Sequence, residues 1–268
     1  MEDLADLRDL AVDAAQAAGA LLRERLTWRR AAVRTKTSGT DMVSEMDHAS
    51  EALIVQRLLG ARPGDGVLAE EGRDRDGDSG VRWVVDPLDG TTNYLYGHAA
   101  YGVSIAAEVD GEVQVGVVAD PSLDEVFTAT KGGGAFLNGQ PVAHSGKEDL
   151  ATALVGTGFS YVPENRRRQA EALVHVLPRV RDIRRAGAAS LDLCWVACGR
   201  LDAYYEVTLQ PWDVAAGVLI ASEVGAFVSG VDGGPPSAES VLAAAPGIGP
   251  DLLSLLRQAR AEPPGPAS

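Results

Sequence analysis

The chain has 268 residues, of which 46% are apolar and 23% are charged, and its formal net charge is −14 at pH 7. This composition is that of a globular protein large enough to bury a sizeable core, and so acidic a surface repels nucleic acid at long range. No apolar run approaches the ~20 residues of a membrane-spanning helix, and the acidic start, with Glu2, Asp3 and Asp6, lacks the pattern of a signal peptide. We therefore expect a cytoplasmic protein without nucleic-acid or membrane partners.

The first half of the chain indicates helices followed by a mostly antiparallel sheet. Apolar residues at helical spacing predict a helix over 3–26, then a polar loop or short hairpin over 34–43 and a second helix over 45–59. Strand patterns follow at 67–69, 81–85, 101–109 and 112–119. Asp110-Gly111 and Asn138-Gly139 are strong turn pairs and predict tight connections.

The second half alternates between the two patterns. Strands are predicted at 153–159, 202–206, 226–229 and 241–245, and helices at 164–177, 191–198, 213–224 and 250–260. No repeat or linker separates the halves. We therefore expect one domain over 1–262, with lobes of about 1–145 and 146–262 that share a core, and a disordered tail over 263–268.

The segment from Trp83 to Asn93, WVVDPLDGTTN, carries the strongest chemical signal. A buried strand ends on Asp86, and Asp89 follows three residues later, so both carboxylates can point into one cleft. Such oxygen ligands suit Mg²⁺, and backbone N–H groups after Gly90 can hold phosphate oxygens. The alternative is a plain turn, because Asp-Pro and Asp-Gly are common turn formers.

A second acidic pair follows another apolar strand. If the strand at 67–69 lies beside the strand at 81–85, Glu70 of the Glu70-Glu71 pair comes close to Asp86. The alternative is two solvated acids in a loop.

Two further carboxylates lie at predicted helix starts. Asp213 precedes an apolar helix, where it could ligate a metal or act as a plain N-cap. Asp47 belongs to Ser44-Glu45-Met46-Asp47, which has the form of a capping box, and it could also orient a nearby hydroxyl.

Together these motifs resemble the inositol monophosphatase family of lithium-sensitive, metal-dependent phosphatases. The resemblance rests on the Glu-Glu pair, on DPLDGTTN at 86–93 and on PWDVAAG at 211–217, and it runs from about Asp3 to Gly225. It implies an α+β or α/β fold with α-β-α-β-α layers, an antiparallel N-terminal sheet and a smaller mixed sheet. It also implies a homodimer, two to three Mg²⁺ ions per site and a small phosphate monoester as substrate.

The resemblance assigns roles to individual residues. The implied metal ligands are Glu70, Asp86, the Leu88 carbonyl, Asp89 and Asp213. The implied catalytic residues near the attacking water are Glu70 and a hydrogen-bonded pair of Thr91 and Asp47. Backbone N–H groups of Gly90 and Thr91 would hold the phosphate, and Lys36 would lie in a mobile loop. The implied substrate contacts are Asp89, Ala189, Glu206 and Asp213.

The substrate within the family is less determined than the chemistry. No Cys, His or Ser lies in a phosphatase-type nucleophile motif, so direct attack by a metal-activated water is the simplest mechanism. Ala188 stands where relatives often carry Thr or Ser, and the segment over 72–82 is short. Inositol 1-phosphate is the leading substrate. Fructose 1,6-bisphosphate, histidinol phosphate, or a non-catalytic role as a divalent-cation-binding regulator remain open.

Overall fold

The computed structural model describes the backbone of residues 3–32 and 39–261 and the side chains of residues 3–26 and 45–259. The α-helices within these ranges are α1 (Leu4–Ala32), α2 (Gly39–Ala61), α3 (Thr91–Tyr96), α4 (Pro163–Val176), α5 (Ala189–Ala197), α6 (Pro211–Glu223) and α7 (Gly249–Ala261). Lys36 and the tail over 263–268 lie outside the described residues, so the predictions for them stay predictions.

The strands form two sheets. The first has the order β1 (Gly66–Ala69), β2 (Val81–Asp89), β3 (Gly102–Val109), β4 (Glu112–Asp120), β5 (Glu125–Thr130), β6 (Gly134–Leu137) and β7 (Gln140–Pro141). The second has the order β11 (Phe227–Ser229), β12 (Ser240–Ala244), β10 (Ala203–Val207), β8 (Leu154–Thr157) and β9 (Asp182–Arg184). All pairs of the first sheet are antiparallel except β1 with β2, whereas the second sheet is mixed.

Helices cover and separate the two sheets. Apolar residues of α1 and α2, such as Leu7 and Ile54, pack on one face of the first sheet. Between the sheets lie α5 and α6, with Leu191 and Ala216 facing the first sheet and Val196 and Ala221 facing the second. The outer face of the second sheet is covered by α4 and α7. This arrangement confirms the predicted α-β-α-β-α layers.

Several predicted elements differ in extent. Residues 39–43, predicted as loop or hairpin, form the start of α2, because Gly, Thr and Asp are as compatible with a first helical turn as with a loop. The strands β5 and β9 were not predicted, and β9 has only three residues, too few to show a periodic pattern. The division into lobes near residue 145 stays a prediction. No helix in the described part of the chain is both long and apolar enough to cross a membrane.

Candidate active site

Parallel pairing of β1 with β2 brings two acidic residues together. Ala69 pairs with Val85, so the residues that follow them, Glu70 and Asp86, lie side by side. The Glu70 amide donates to the Val85 carbonyl at 3.3 Å, and the charge of the Glu70 carboxylate raises the pKa of Asp86. This confirms the predicted proximity of Glu70 and Asp86.

An irregularity in β2 directs two aspartates to one face. Along β3, Asp86 pairs with Ser104 and Asp89 with Gly102, so three steps on β2 match two steps on β3. Residues three apart on a regular strand point to opposite faces, but one extra residue restores the same face. Pro87, which has no N–H to donate to a ladder, lies between these two paired residues. Strand β2 therefore continues through Asp86, where the pattern predicted an end, and presents both carboxylates together.

The Leu88 carbonyl lies in the same bulge. It accepts the Thr91 hydroxyl at 3.1 Å, while the Leu88 amide donates to Asp86 Oδ1 at 3.0 Å. The Leu88 side chain is fully buried. Packing of that side chain thus holds the carbonyl in place beside the aspartates.

Asp213 comes from a helix between the sheets. Gln210 is the N-cap of α6, and Asp213 is the third helical residue, not the N-cap that the sequence suggested. Its carboxylate accepts the Gln210 amide at 2.7 Å in a reciprocal capping box. Asp213 therefore stabilises the start of α6. It also faces Asp86 and Asp89, whose negative charges repel its own.

Burial, together with repulsion between neighbouring carboxylates, raises the pKa values of these acids. Burial raises the pKa of Glu70 and of Asp213 to about 7, and neighbouring carboxylates add to the effect. Burial and the charges of Glu70, Asp89 and Asp213 also hold the pKa of Asp86 well above its usual range. Burial raises the pKa of Asp89, although hydrogen bonds to α5 oppose the shift. The cluster concentrates carboxylates in one buried place, and this arrangement favours the binding of cations.

Asp89 also stabilises the start of α5. Its Oδ2 atom accepts the Ser190 amide at 2.8 Å and the Ser190 hydroxyl at 2.6 Å. The amides of Ala189 and Gly90 also interact with this carboxylate. Sequence reasoning missed Ser190, which carries no motif and reaches Asp89 only through the fold.

Gly90 is required by its conformation and by its surroundings. It lies at φ 86°, and a Cβ atom there would come within 2.7 Å of the Ala100 carbonyl oxygen. The helix α3 begins immediately after it, so its first N–H groups have no acceptor within the helix. Gly90 and Thr91 thus lie beside the acidic cluster, and their role in holding phosphate stays a prediction.

Asn93 ties this segment to the loop before α5. Its amide donates to the carbonyls of Ala100 and Ala186 at 2.6 and 2.8 Å. The loop that carries Ala188 and Ala189 is thereby held against α3. The sequence contains Asn93 within the motif, but its partner in the second half was not predictable.

Asp47 lies in a second acidic group next to the first. It is buried on α2, and burial together with the charges of Glu71 and Glu70 raises its pKa to about 8. Glu71 is bridged to α2 through His48, with 3.2 Å between Nδ1 and Oε2. Among the described residues, no hydrogen bond joins Thr91 to Asp47. The Thr91 hydroxyl donates to the Leu88 carbonyl instead, and the predicted pair is not formed.

Glu206 defines the other side of the site. Its Oε2 atom accepts the hydroxyl of the buried Tyr204 at 2.6 Å, and its carboxylate lies directly against the Gly158 backbone. Burial raises the pKa of Glu206, while Tyr204 and the charge of Arg185 oppose the shift. The charge of Asp89 raises the pKa of Glu206, and the charge of Glu206 raises the pKa of Asp213. The three acids therefore surround one space.

The donor set fits a hard divalent cation, although its geometry is not preformed. All candidate donors are oxygens, four carboxylates and one carbonyl, which Mg²⁺ prefers. Among the residues that the structure describes, no three His, Cys, Asp or Glu side chains are already arranged to hold an ion.

Comparison with known proteins agrees with the fold and the motifs. A profile described as "Inositol monophosphatase family" matches residues 3–261. The chain is 48% identical over 244 residues to "Inositol-1-monophosphatase SuhB" of Mycobacterium tuberculosis, with 85% of this chain and 82% of the relative covered. It is 41% identical over 223 residues to "Nus factor SuhB" of Xylella fastidiosa, with 82% and 80% covered. The solved structure of Mycobacterium tuberculosis SuhB superposes with a TM-score of 0.83 at 46% identity, covering 97% of this chain and 98% of the other. The chain therefore belongs to the inositol monophosphatase family and is a phosphoric monoester hydrolase of that type.

Proposed function

We propose that the protein hydrolyses inositol 1-phosphate to inositol and phosphate, using Mg²⁺ and direct attack by water. One observation carries the proposal. Carboxylates from β1, β2 and α6 converge beside Gly90 and Thr91, so oxygen ligands and phosphate-binding amides lie next to one another. This is the arrangement that a metal-assisted phosphatase needs.

Each group of residues has a separate task in this proposal. Glu70, Asp86, Asp89, Asp213 and the Leu88 carbonyl would hold two to three Mg²⁺ ions, and bound Mg²⁺ would supply positive charge beside the phosphoryl group and lower the pKa of a bound water. The backbone N–H groups of Gly90 and Thr91 position the phosphate oxygens.

Residues on both sides of the phosphate complete the site. Glu70 and Thr91 orient the attacking water, with Asp47 behind them on α2. Glu206 accepts hydrogen bonds from substrate hydroxyls, and Asp89, Asp213 and the Ala189 backbone contact the polyol.

Other parts of the proposal follow from family membership. We expect a homodimer in the cytoplasm, inhibition by Li⁺ and a mobile loop around Lys36. The names of relatives support the inositol phosphate substrate, since the Mycobacterium tuberculosis protein is called an inositol-1-monophosphatase.

A regulatory function is the second candidate, and a specific observation favours it. The Xylella fastidiosa relative is named a Nus factor. The complete acidic cluster nevertheless supports catalysis, because a purely structural partner protein has no use for four crowded carboxylates. Fructose 1,6-bisphosphate and histidinol phosphate remain alternative substrates.

Phosphate release from a panel of monoesters tests the proposal. The purified chain is assayed with Mg²⁺, with and without Li⁺, against inositol 1-phosphate, fructose 1,6-bisphosphate and histidinol phosphate. We expect the highest kcat/KM with inositol 1-phosphate and none without Mg²⁺. Absence of phosphate release from every substrate would favour the regulatory alternative, and a preference for another ester would replace the substrate alone.

A further inference from the structure

The Ser190 hydroxyl makes a short hydrogen bond to a proposed metal ligand. Ser190 is fully buried, and its Oγ atom lies 2.6 Å from Asp89 Oδ2. A carboxylate accepts but cannot donate when ionised, so the serine proton points at Asp89. The O–H bond of Ser190 is therefore directed at a single acceptor, Asp89 Oδ2.

The start of α5 explains why Asp89 accepts so many donors. The N-cap residue is Ala188, which has no side-chain oxygen to accept the exposed helical amides. Asp89 supplies the missing acceptor from β2, with the Ser190 amide at 2.8 Å on the same Oδ2 atom. Two donors of α5 therefore hold Oδ2 of Asp89.

Repulsion from neighbouring acids makes this anchoring necessary. Asp86, Asp213, Asp192 and Glu206 all interact unfavourably with the charge of Asp89. A carboxylate surrounded by like charge would otherwise rotate away from the site. The hydrogen bonds of Ser190 oppose that rotation from behind.

We propose that Ser190 is a positioning residue whose hydroxyl holds Asp89 in the orientation that binds the divalent cation. The inference rests on the proposed role of Asp89 as a metal ligand. Partners behind a metal ligand commonly change metal affinity by 10- to 100-fold when removed. Ser190 is expected to act on cation affinity first, and on turnover at saturating cation much less.

Calorimetric titration of the purified protein with MgCl₂ at pH 8 tests this role without measuring activity. We expect Ser190→Ala to raise the Mg²⁺ dissociation constant by about 10-fold. Ser190→Cys keeps nearly the same shape but donates weakly, and it is expected to lose affinity similarly. Ser190→Thr retains the hydroxyl and is expected to remain within about threefold of the unaltered protein. The kcat at saturating Mg²⁺ should fall less than the affinity.

Ser229→Ala is the matched control. Ser229 is a buried serine whose hydroxyl donates to the Gly230 carbonyl at 3.0 Å, in the second sheet. Its loss should leave Mg²⁺ affinity unchanged.

Equal affinity of Ser190→Ala and the unaltered protein would overturn the positioning role alone. If the unaltered protein bound no Mg²⁺, the proposed function would fail as well. If Ala and Cys variants both failed to fold, Ser190 would be structural and the inference would be wrong.

Discussion

The carboxylates of Glu70 and Asp86 lie next to each other because parallel pairing of β1 with β2 sets Ala69 beside Val85. Burial raises the pKa of both groups, and the charge of Glu70 adds to the shift of Asp86. Repulsion between the two carboxylates destabilises the chain without a cation. A bound cation relieves that repulsion, so the site is suited to cations.

Loss of a proposed metal ligand should remove activity and keep the fold. Asp89→Asn and Asp213→Asn each delete a charge from the cluster, and we expect kcat/KM to fall by 100-fold or more, about 3 kcal/mol. Turnover and thermal unfolding are measured on the same samples. Asp251→Asn, which alters an exposed acid on α7, should change neither quantity. Near-normal turnover in either site variant would refute its role.

Glu206 should discriminate substrates by their hydroxyl groups. A hydrogen bond to a charged group contributes about 1.5–3 kcal/mol, so Glu206→Gln should raise KM for inositol 1-phosphate by about 10-fold or more. The aryl ester 4-nitrophenyl phosphate has no polyol hydroxyls, and its KM should change by less than about threefold.

The exposed Glu239→Gln serves as the control for that comparison. Equal losses with both substrates would show that Glu206 acts on the phosphate or the fold and not on the polyol.

Gly90 and Gly97 allow conformation and crowding to be separated. Both have positive φ, 86° and 75°, at opposite ends of α3. A Cβ atom at Gly90 would approach the Ala100 carbonyl to 2.7 Å, whereas a Cβ at Gly97 meets nothing within 4 Å. Both alanine variants lose about 1–2 kcal/mol through the left-handed conformation, and Gly90→Ala loses about 1–3 kcal/mol more through the clash. Urea unfolding measures the difference, and equal losses would contradict the crowding argument.

Asp120 should make stability fall as pH rises from 4 to 6. Burial raises its pKa from 3.8 to about 6, although its carboxylate accepts the amides of Ser122 and Leu123. Between these values the folded state binds more protons than the unfolded state, so raising the pH costs stability. Two pKa units correspond to at most about 3 kcal/mol.

Asp120→Asn removes this dependence. Relative to the unaltered protein, its free energy of unfolding should increase by about 1–3 kcal/mol between pH 4 and pH 7. Comparison of the two proteins by urea unfolding cancels the effects of other acids. A constant difference across this range for Asp120→Asn would contradict the assigned pKa.

Local patterns were sufficient for most elements and for the identity of the acidic residues. The strand ending in DPLDG, the Glu70-Glu71 pair and the helix after Pro211 were all predictable, because each depends on neighbours in sequence. Residue periodicity also identified the long helices. Short elements such as β9 were not predicted, because a strand of three residues is too short to show a periodic pattern.

The sequence by itself determined which residues are acidic, which segments are helical or extended, and that the motifs match a phosphatase family. Only the tertiary structure decided the contacts that hold these acids in place. The bulge between Asp86 and Asp89 turns both to one face, parallel pairing sets Glu70 beside them, and α5 brings Ser190 to Asp89. These contacts join segments far apart along the chain, and their free energy depends on burial and charge at close range, which no local pattern encodes.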